Sequence, residues 1–420
     1  MNQGDTAFIL ISAALVLMMT PALAFFYGGL VRAKSVISMM MMSFGSMALV
    51  GAIWILYGYA VVFATPGNPG YVGVPGIIGI DTANLGLEGL LEVSPGADIP
   101  PLALAAFQAT FAIITVALIS GAIADRAKFG AWLVFAGVWA TLVYFPVASW
   151  VFNIGAASVT GQKVGGGWLV DGLGMIDMAG GTVVEINSGA AALALALVLG
   201  KRVGFAKGLH KPHNVPFVLL GAGLLWFGWF GFNAGSELAA DGIASLAFIN
   251  TMAAPAAAIL GWLIVERIKD GKATSVGAAS GAVAGLVAIT PSCGALTPTT
   301  ALILGLIAGV VCCLAVELKF RLGFDDSLDV VGIHLIGGLV GMIFIGIAGT
   351  EVGLLFTGNA FQLGVQSLGS IVVLIYSFTL TYAIGWTIEK TMGFRVRNED
   401  ELAGIDTMMH GEEGYVLTSD

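Results

Sequence analysis

The stretch Asp177-Met178-Ala179-Gly180-Gly181-Thr182-Val183-Val184-Glu185-Ile186-Asn187 places a carboxylate, Glu185, inside apolar sequence. A second stretch repeats this arrangement near the other end of the chain: Asp326-Ser327-Leu328-Asp329-Val330-Val331-Gly332-Ile333-His334. In both, an Asp is followed eight positions later by an ionisable residue. An ionisable side chain inside a membrane is costly, so it is interpreted as functional and is expected to have a partner. We therefore predict that Glu185 and His334 pair with each other in the middle of a pore.

The composition is that of a membrane protein. Of the 420 residues, 58% are hydrophobic and only 10% are charged, whereas a soluble domain has about 25% charged residues. A spanning helix needs about 20 apolar residues. The sequence predicts an all-α polytopic membrane protein with eleven transmembrane helices, at residues 6–31, 36–63, 101–123, 129–152, 176–199, 215–235, 243–265, 275–291, 299–318, 330–349 and 366–388.

The basic residues predict the orientation of these helices. Of the 17 Lys and Arg residues, all except Lys163 follow odd-numbered segments. Because basic residues are concentrated on the cytoplasmic side of membrane proteins, we predict an outer N-terminus and an inner C-terminus. The first segment is too long for the apolar region of a cleaved signal and is expected to remain as a span. The location predicted is the inner (plasma) membrane, with multiple passes.

The repeated stretch predicts the organisation of the chain. Residues 1–390 are interpreted as one transmembrane domain and residues 391–420 as a cytoplasmic tail, which either is disordered or docks under the helices. Spans one to five and six to ten would form two units of five. An odd number of spans inverts the second unit, and such inverted repeats, here with one extra helix, are a frequent build of transporters.

Several patterns have both a functional and a plainer interpretation. A buried Glu185–His334 pair would titrate as one coupled unit, or it would be an ion pair that only holds two helices together. Phe107 and Phe111 share a helix face, and an aromatic run ends at Ser236. These rings would hold a small cation by cation–π attraction or form an interfacial belt.

No enzyme chemistry is indicated by the sequence. The three Cys residues, Cys293, Cys312 and Cys313, have neither disulfide nor metal spacing. No nucleophile, metal cluster or phosphate-binding loop stands out, so we expect no enzyme activity, no cofactor and no bound metal. Nucleic acid is not an expected partner.

With these motifs in order, the chain resembles the ammonium transporters of the Amt/Mep/Rh family over nearly its whole length. The matching pieces are Phe25–Leu30, Ala106–Gln108, Asp177–Asn187, Gly200–Arg202, Lys211–Asn214, Gly228–Ser236, Thr290–Gly294, Asp325–His334 and the tail around His410–Glu412. The resemblance implies a homotrimer in which each protomer has its own pore for ammonium, ammonia or methylammonium. It also implies a PII-type signalling protein as a candidate partner at the cytoplasmic face.

The resemblance also implies roles for particular residues. Phe107 and Ser236 match the outer substrate-binding site, and Asp177 matches a carboxylate that supports cation binding there without touching the ion; an N-cap role for Asp177 is compatible with this. The pair Phe111 and Phe232 matches a gate below that site. Glu185 and His334 match the two pore positions.

Two departures from the family pattern stand out. Glu185 replaces the first of two paired pore histidines, which is expected to change the proton affinity of the centre. Phe152-Asn153 stands where the family usually has a Trp, and an insertion precedes Gly165. Trp168 cannot be equated with that Trp, so weaker cation binding is expected.

Two alternatives to a transporter remain open at this point. The first is an ammonium sensor that signals through its tail with little flux; the lack of an output domain after residue 420 makes us expect the transporter. The second is a channel for another small solute, such as methylamine or carbon dioxide.

Overall fold

The computed structural model describes residues 1–68, 70–92, 97–157, 163–205 and 211–415. In this part of the chain, eleven helices are long and apolar enough to cross a membrane. They are α1 Gln3–Leu30, α2 Ala33–Val62, α3 Pro101–Ile123, α4 Phe129–Val151, α5 Gly181–Leu199, α6 Val215–Gly235, α7 Gly242–Lys269, α8 Ser275–Ser292, α9 Pro298–Leu322, α10 Val331–Ala348 and α11 Phe361–Thr391. The predicted fold class and the number of spans are confirmed.

The start of α5 differs from the prediction. The span was predicted from residue 176, but the helix begins at Gly181. Gly180 has a left-handed backbone (φ 105°), a conformation that glycine adopts without steric cost, and it turns the chain into the helix. Glu185 therefore lies about one turn from the start of α5.

α5 and α10 begin in the same way. Each opens with a wide π-type turn, Gly181–Ile186 in α5 and Val331–Leu335 in α10. Such turns are rare and occur frequently at functional sites. They contain Glu185 and His334 respectively, so the predicted correspondence between the two stretches extends to the backbone.

The two halves of the bundle are built alike. In the first half, α1 packs on α2 and α3, α2 packs on α3 and α4, and α3 packs on α5. The second half repeats these pairs: α6 packs on α7 and α8, α7 on α8 and α9, and α8 on α10. The halves join mainly through α1 and α6. The structure thus has two five-helix repeats and one additional helix, α11, as predicted.

One end of the bundle, called the loop end below, carries the segment between α2 and α3. It contains a hairpin of β1 Tyr71–Val74 and β2 Ile78–Asp81, followed by a 3-10 turn at Thr82–Leu90. The indole Nε1 of Trp150 donates a hydrogen bond to the Ile77 carbonyl at 2.6 Å, which fixes the hairpin to α4. A short second hairpin, β3 Ala156–Ala157 and β4 Lys163–Val164, follows α4.

The opposite end, called the tail end, carries the segment after α11. The tail docks against the helices as far as residue 415. Of the two predicted states of the tail, disordered or docked, the described part is docked. Glu401, on the short helix α12 Asn398–Ala403, accepts a hydrogen bond from the Val203 N–H at 2.7 Å and one from Arg395 at 2.9 Å. The carboxylate of Asp406 accepts hydrogen bonds from the Ile37 and Ser38 N–H groups. Lys207 and residues 416–420 lie outside the described residues.

Candidate functional site

Glu185 and His334 meet in the centre of the bundle. The imidazole Nδ1 of His334 lies 2.6 Å from Oε2 of Glu185. Glu185 is 0% exposed and His334 is 3% exposed. Within the described part of the chain, Oε1 of Glu185 has no hydrogen-bond partner. The pair therefore has one carboxylate oxygen left to accept a hydrogen bond from a third group.

Glycines bring α5 and α10 close enough for this contact. A Cβ added to Gly189 would lie 2.4 Å from the Leu335 nitrogen, and one added to Gly338 would lie 3.0 Å from Cβ of Glu185. Small residues at such crossings allow two helix backbones to approach. These contacts show that the two glycines let α5 and α10 pack closely.

Asp177 caps the start of α5. Its carboxylate accepts hydrogen bonds from the N–H groups of Gly180, Gly181 and Thr182 at 2.6–2.9 Å, and a further one from the Thr182 hydroxyl. Burial raises the pKa of Asp177, and these hydrogen bonds partly oppose that rise. The free N–H groups of a helix start are satisfied in this way. Asp177 thus caps the start of α5 through its side chain, although the N-cap position itself is Gly180.

Three phenylalanines lie above the Glu185–His334 pair, toward the loop end. The rings of Phe111 and Phe232 are stacked, with centroids 4.2 Å apart, and Phe107 meets Phe111 edge-on at 4.9 Å. All three are at most 1% exposed. Because α3 enters from the loop end, Phe107 is the ring nearest that end and Phe111 lies one turn deeper.

A narrow cavity of about 10 Å³ lies below the stacked rings and next to the pair. A volume of this size holds roughly one water-sized molecule. Its walls come from α1, α3, α5, α6, α8 and α10, and they include Phe232, Glu185 and His334. On α3 the lining residues Ile114 and Leu118 continue the helix face of Phe107 and Phe111. One continuous line of side chains thus leads from the loop end to the pair.

Ser236 follows a glycine that packs against Phe107, and it uses its hydroxyl locally. Its Oγ donates to the Phe232 carbonyl at 2.7 Å. A Cβ added to the neighbouring Gly235 would lie 3.0 Å from the Phe107 ring. Ser236 is only partly buried, and the lone pairs of a hydroxyl that is already donating remain able to accept a hydrogen bond.

Phe152 is an aromatic wall of this region that was not predicted as a site residue. Its ring meets Phe111 edge-on with centroids 5.9 Å apart, and its tip lies 3.1 Å from a Cβ added to Gly180. Unlike the three buried rings, it is partly exposed. The sequence feature that could have indicated Phe152 as a site residue is its position, because the resemblance implies a Trp there. Trp168 instead packs against Trp150, at 5.8 Å, beside the hairpin.

The arrangement is suited to passing a small molecule. The cavity provides apolar walls, one unpaired carboxylate oxygen and an imidazole. Among the described residues, there is no group of three or more His, Cys, Asp or Glu side chains that could hold a metal ion.

A bundle of eleven spanning helices around a narrow central cavity has the architecture of a polytopic membrane protein whose centre can hold a small molecule. The model of the Ammonium Transporter Family matches residues 7–415. The chain belongs to the ammonium transporter family.

Relatives of known name agree with this assignment. An ammonium transporter of Mycobacterium tuberculosis is 52% identical over 99% of this chain and 90% of its own length. One from Bacillus subtilis is 45% identical over 99% of both chains. These relatives are transport proteins and not enzymes, so the chain is a transport protein as well.

Solved structures show the same fold. The crystal structure of Candida albicans Mep2 has a TM-score of 0.84 and 33% identity, and the match covers 95% of this chain and 88% of that one. A structure described as a sensor Amt protein has a TM-score of 0.87 and 27% identity, covering 97% of this chain and 98% of that one.

Proposed function

We propose that this protein conducts ammonium or ammonia across the membrane through the central cavity of each protomer. The observation that carries the proposal is the buried Glu185–His334 contact beside a cavity of about 10 Å³. A hydrated ion is expensive to move into such apolar surroundings, whereas neutral ammonia is not. The space and the acceptors therefore fit a small nitrogen species that loses water or a proton on entry.

The path begins at the loop end, which we take as the outer side. Phe107, Phe152 and Ser236 surround the entrance and recruit the cation, because aromatic faces and a hydroxyl replace part of its water. Asp177 has its carboxylate committed to four donors and acts on the cation through its charge. The stacked rings of Phe111 and Phe232 are the gate that the species passes next.

Glu185 and His334 then receive the travelling species. The free Oε1 of Glu185 accepts a hydrogen bond from it, and the coupled pair is able to take up and return a proton. Below the pair, the path continues to the tail end, which we take as the cytoplasmic side. Arg32, Arg126 and Arg395 all lie at that end in contact with tail or loop residues, as expected if basic residues stay inside.

The proposal includes the wider setting implied by the family. The protein would be a homotrimer in the inner (plasma) membrane, and a PII-type signalling protein would bind at the tail end. Support for a regulated tail comes from its docking on the cytoplasmic ends of α1, α2 and α5.

The direct test is transport by the purified full-length protein in liposomes. We expect uptake of radiolabelled methylammonium, reduced by unlabelled ammonium in competition, and an ammonium-dependent current on a solid-supported membrane where charge is moved. Empty liposomes are the control. Neither uptake nor current in the native protein would reject the transport proposal.

A sensor is the second candidate function, because the match to the sensor Amt protein covers nearly all of both chains. The Glu185→Ala variant distinguishes the two. A transporter would lose flux, whereas a sensor would keep its ammonium-dependent signal with little flux before or after the change.

Phe152→Ala is expected to weaken ammonium recruitment. Removing the partly exposed ring takes away one aromatic face from the entrance, and a cation–π contact is worth about 0.5–2 kcal/mol. We expect the KM for methylammonium uptake to rise by roughly 2- to 30-fold, with a nearly unchanged maximal rate. Phe152→Trp is the matched comparison and should lower the KM. An unchanged KM in both variants would exclude Phe152 from the recruitment site.

A further inference from the structure

The tail end holds a second cavity, of about 240 Å³, below the central one. Leu30 of α1 lines it, while Leu23 and Phe26 line the central cavity. These residues are three and four apart and therefore share one face of α1. Asp329, five positions before His334, also lines the second cavity. We call this space the inner-mouth cavity, since it continues the proposed path toward the cytoplasm.

Among the described residues, three charged side chains line the inner-mouth cavity: Arg202, Lys319 and Asp329. Arg202 is committed elsewhere, because it donates to both oxygens of Asp325 at 2.9 and 3.0 Å and to Asp125 at 3.2 Å. Of these three side chains, Lys319 and Asp329 are the two without such a separate charged partner.

Lys319 and Asp329 are paired with each other. The Nζ of Lys319 donates to Oδ1 of Asp329 at 2.5 Å and to the Asp326 carbonyl at 2.9 Å. The Lys319 side chain is 10% exposed and that of Asp329 is 35% exposed. Asp329 also has a left-handed backbone (φ 65°). A non-glycine residue keeps such a conformation only where the surrounding structure holds it. This backbone conformation accompanies the pairing of Asp329 with Lys319.

The ammonium group of Lys319, held beside Asp329, is chemically similar to the proposed substrate. The Nζ of a lysine is a primary ammonium with three N–H donors, as in methylammonium. A carboxylate oxygen and a carbonyl oxygen at hydrogen-bond distance are the acceptors that a free ammonium ion would also use. A tethered group has an effective concentration of about millimolar or more at its site, so dilute free ammonium competes with it poorly.

We propose that Lys319 is a specificity-determining residue of the inner mouth, a built-in ammonium group that occupies the oxygens where a departing ammonium ion would otherwise be held. This inference rests on the proposed transport function. The consequence is that substrate leaves the inner mouth without being held there, and that ammonium on the cytoplasmic side meets an Asp329 carboxylate already engaged by Lys319.

The test measures inhibition of uptake by methylammonium inside liposomes. Lys319→Met keeps the aliphatic chain but removes the charge and the donors, which frees Asp329. We expect the internal methylammonium concentration that halves the uptake rate to fall at least about fivefold. The freed carboxylate would accept a hydrogen bond from the ion, and a hydrogen bond to a charged group raises affinity by about this factor or more. Lys319→Met/Asp329→Asn removes the freed carboxylate and is expected to return this concentration to the native value.

Two controls and two outcomes make the test decisive. Lys319→Arg retains the positive charge and Lys272→Met removes an exposed lysine at the same end; both should respond as the native protein does. If Lys319→Met gives no folded protein, Lys319→Gln carries the same expectation. Equal inhibition in native and uncharged variants that still transport would overturn the inference, as would sensitivity that persists in the double variant. Absence of uptake in the native protein would instead reject the transport proposal.

Discussion

Glu185→Ala is expected to reduce ammonium uptake at least about tenfold. The change removes the hydrogen-bond partner of His334 and the carboxylate oxygen that is proposed to accept a hydrogen bond from the substrate. A single hydrogen bond to a charged group is worth about 1.5–3 kcal/mol, and 1.4 kcal/mol corresponds to a factor of ten. The measurement is the initial rate of methylammonium uptake into liposomes at equal amounts of inserted protein.

Two matched variants make this result specific. Ser370→Ala removes a buried hydroxyl on α11 that donates to the Gln366 carbonyl one turn earlier in the same helix, and it should transport normally. Glu185→His places a second imidazole beside His334, and we expect it to keep uptake but with a different dependence on pH. Uptake within about twofold of the native rate in Glu185→Ala would contradict the role proposed for the pair.

Asp325→Ala is expected to have the largest effect on stability. Asp325 is 0% exposed and accepts three hydrogen bonds from Arg202, while its carbonyl accepts one from the fully buried Arg126. Removing one partner of a buried ion pair costs about 3–5 kcal/mol, because the other charge stays buried and unpaired. We expect the thermal unfolding midpoint of the detergent-solubilised protein to fall by at least about 5 °C.

The matched control is Asp270→Ala, which removes an exposed carboxylate at the end of α7. It should leave the unfolding midpoint unchanged. A drop of similar size in both variants, or none in Asp325→Ala, would show that the buried ion network does not stabilise the fold.

The same network sets how this stability depends on pH. Burial raises the pKa of Asp325, but hydrogen bonds from Arg202 outweigh this and hold it below the ordinary value. A carboxyl group with a depressed pKa contributes stability that is fully present above its unfolded pKa of about 3.9 and is lost as the pH falls through the folded value. The contribution of Asp325 is therefore complete at neutral pH.

The amino-acid sequence alone determined the number of spans and the residues at the centre. Long apolar runs identify helices that cross a membrane, since a bilayer requires about 20 apolar residues for each. A carboxylate and an imidazole within such runs need a partner, and the echo between the two stretches indicated that they are partners of each other. These conclusions depend on local composition and spacing, which are visible without coordinates.

Other details were decided only by contacts in the folded chain. Tertiary structure alone placed the Phe152 ring on Phe111, committed the Asp177 carboxylate to the start of α5, and moved that start to Gly181. It also brought Lys319 to Asp329 below the central cavity. Spacing along one helix predicts which side chains share a face, but not which face of another helix they meet. That choice is made by the packing of all eleven helices together, because each contact depends on how closely the small residues let neighbouring backbones approach.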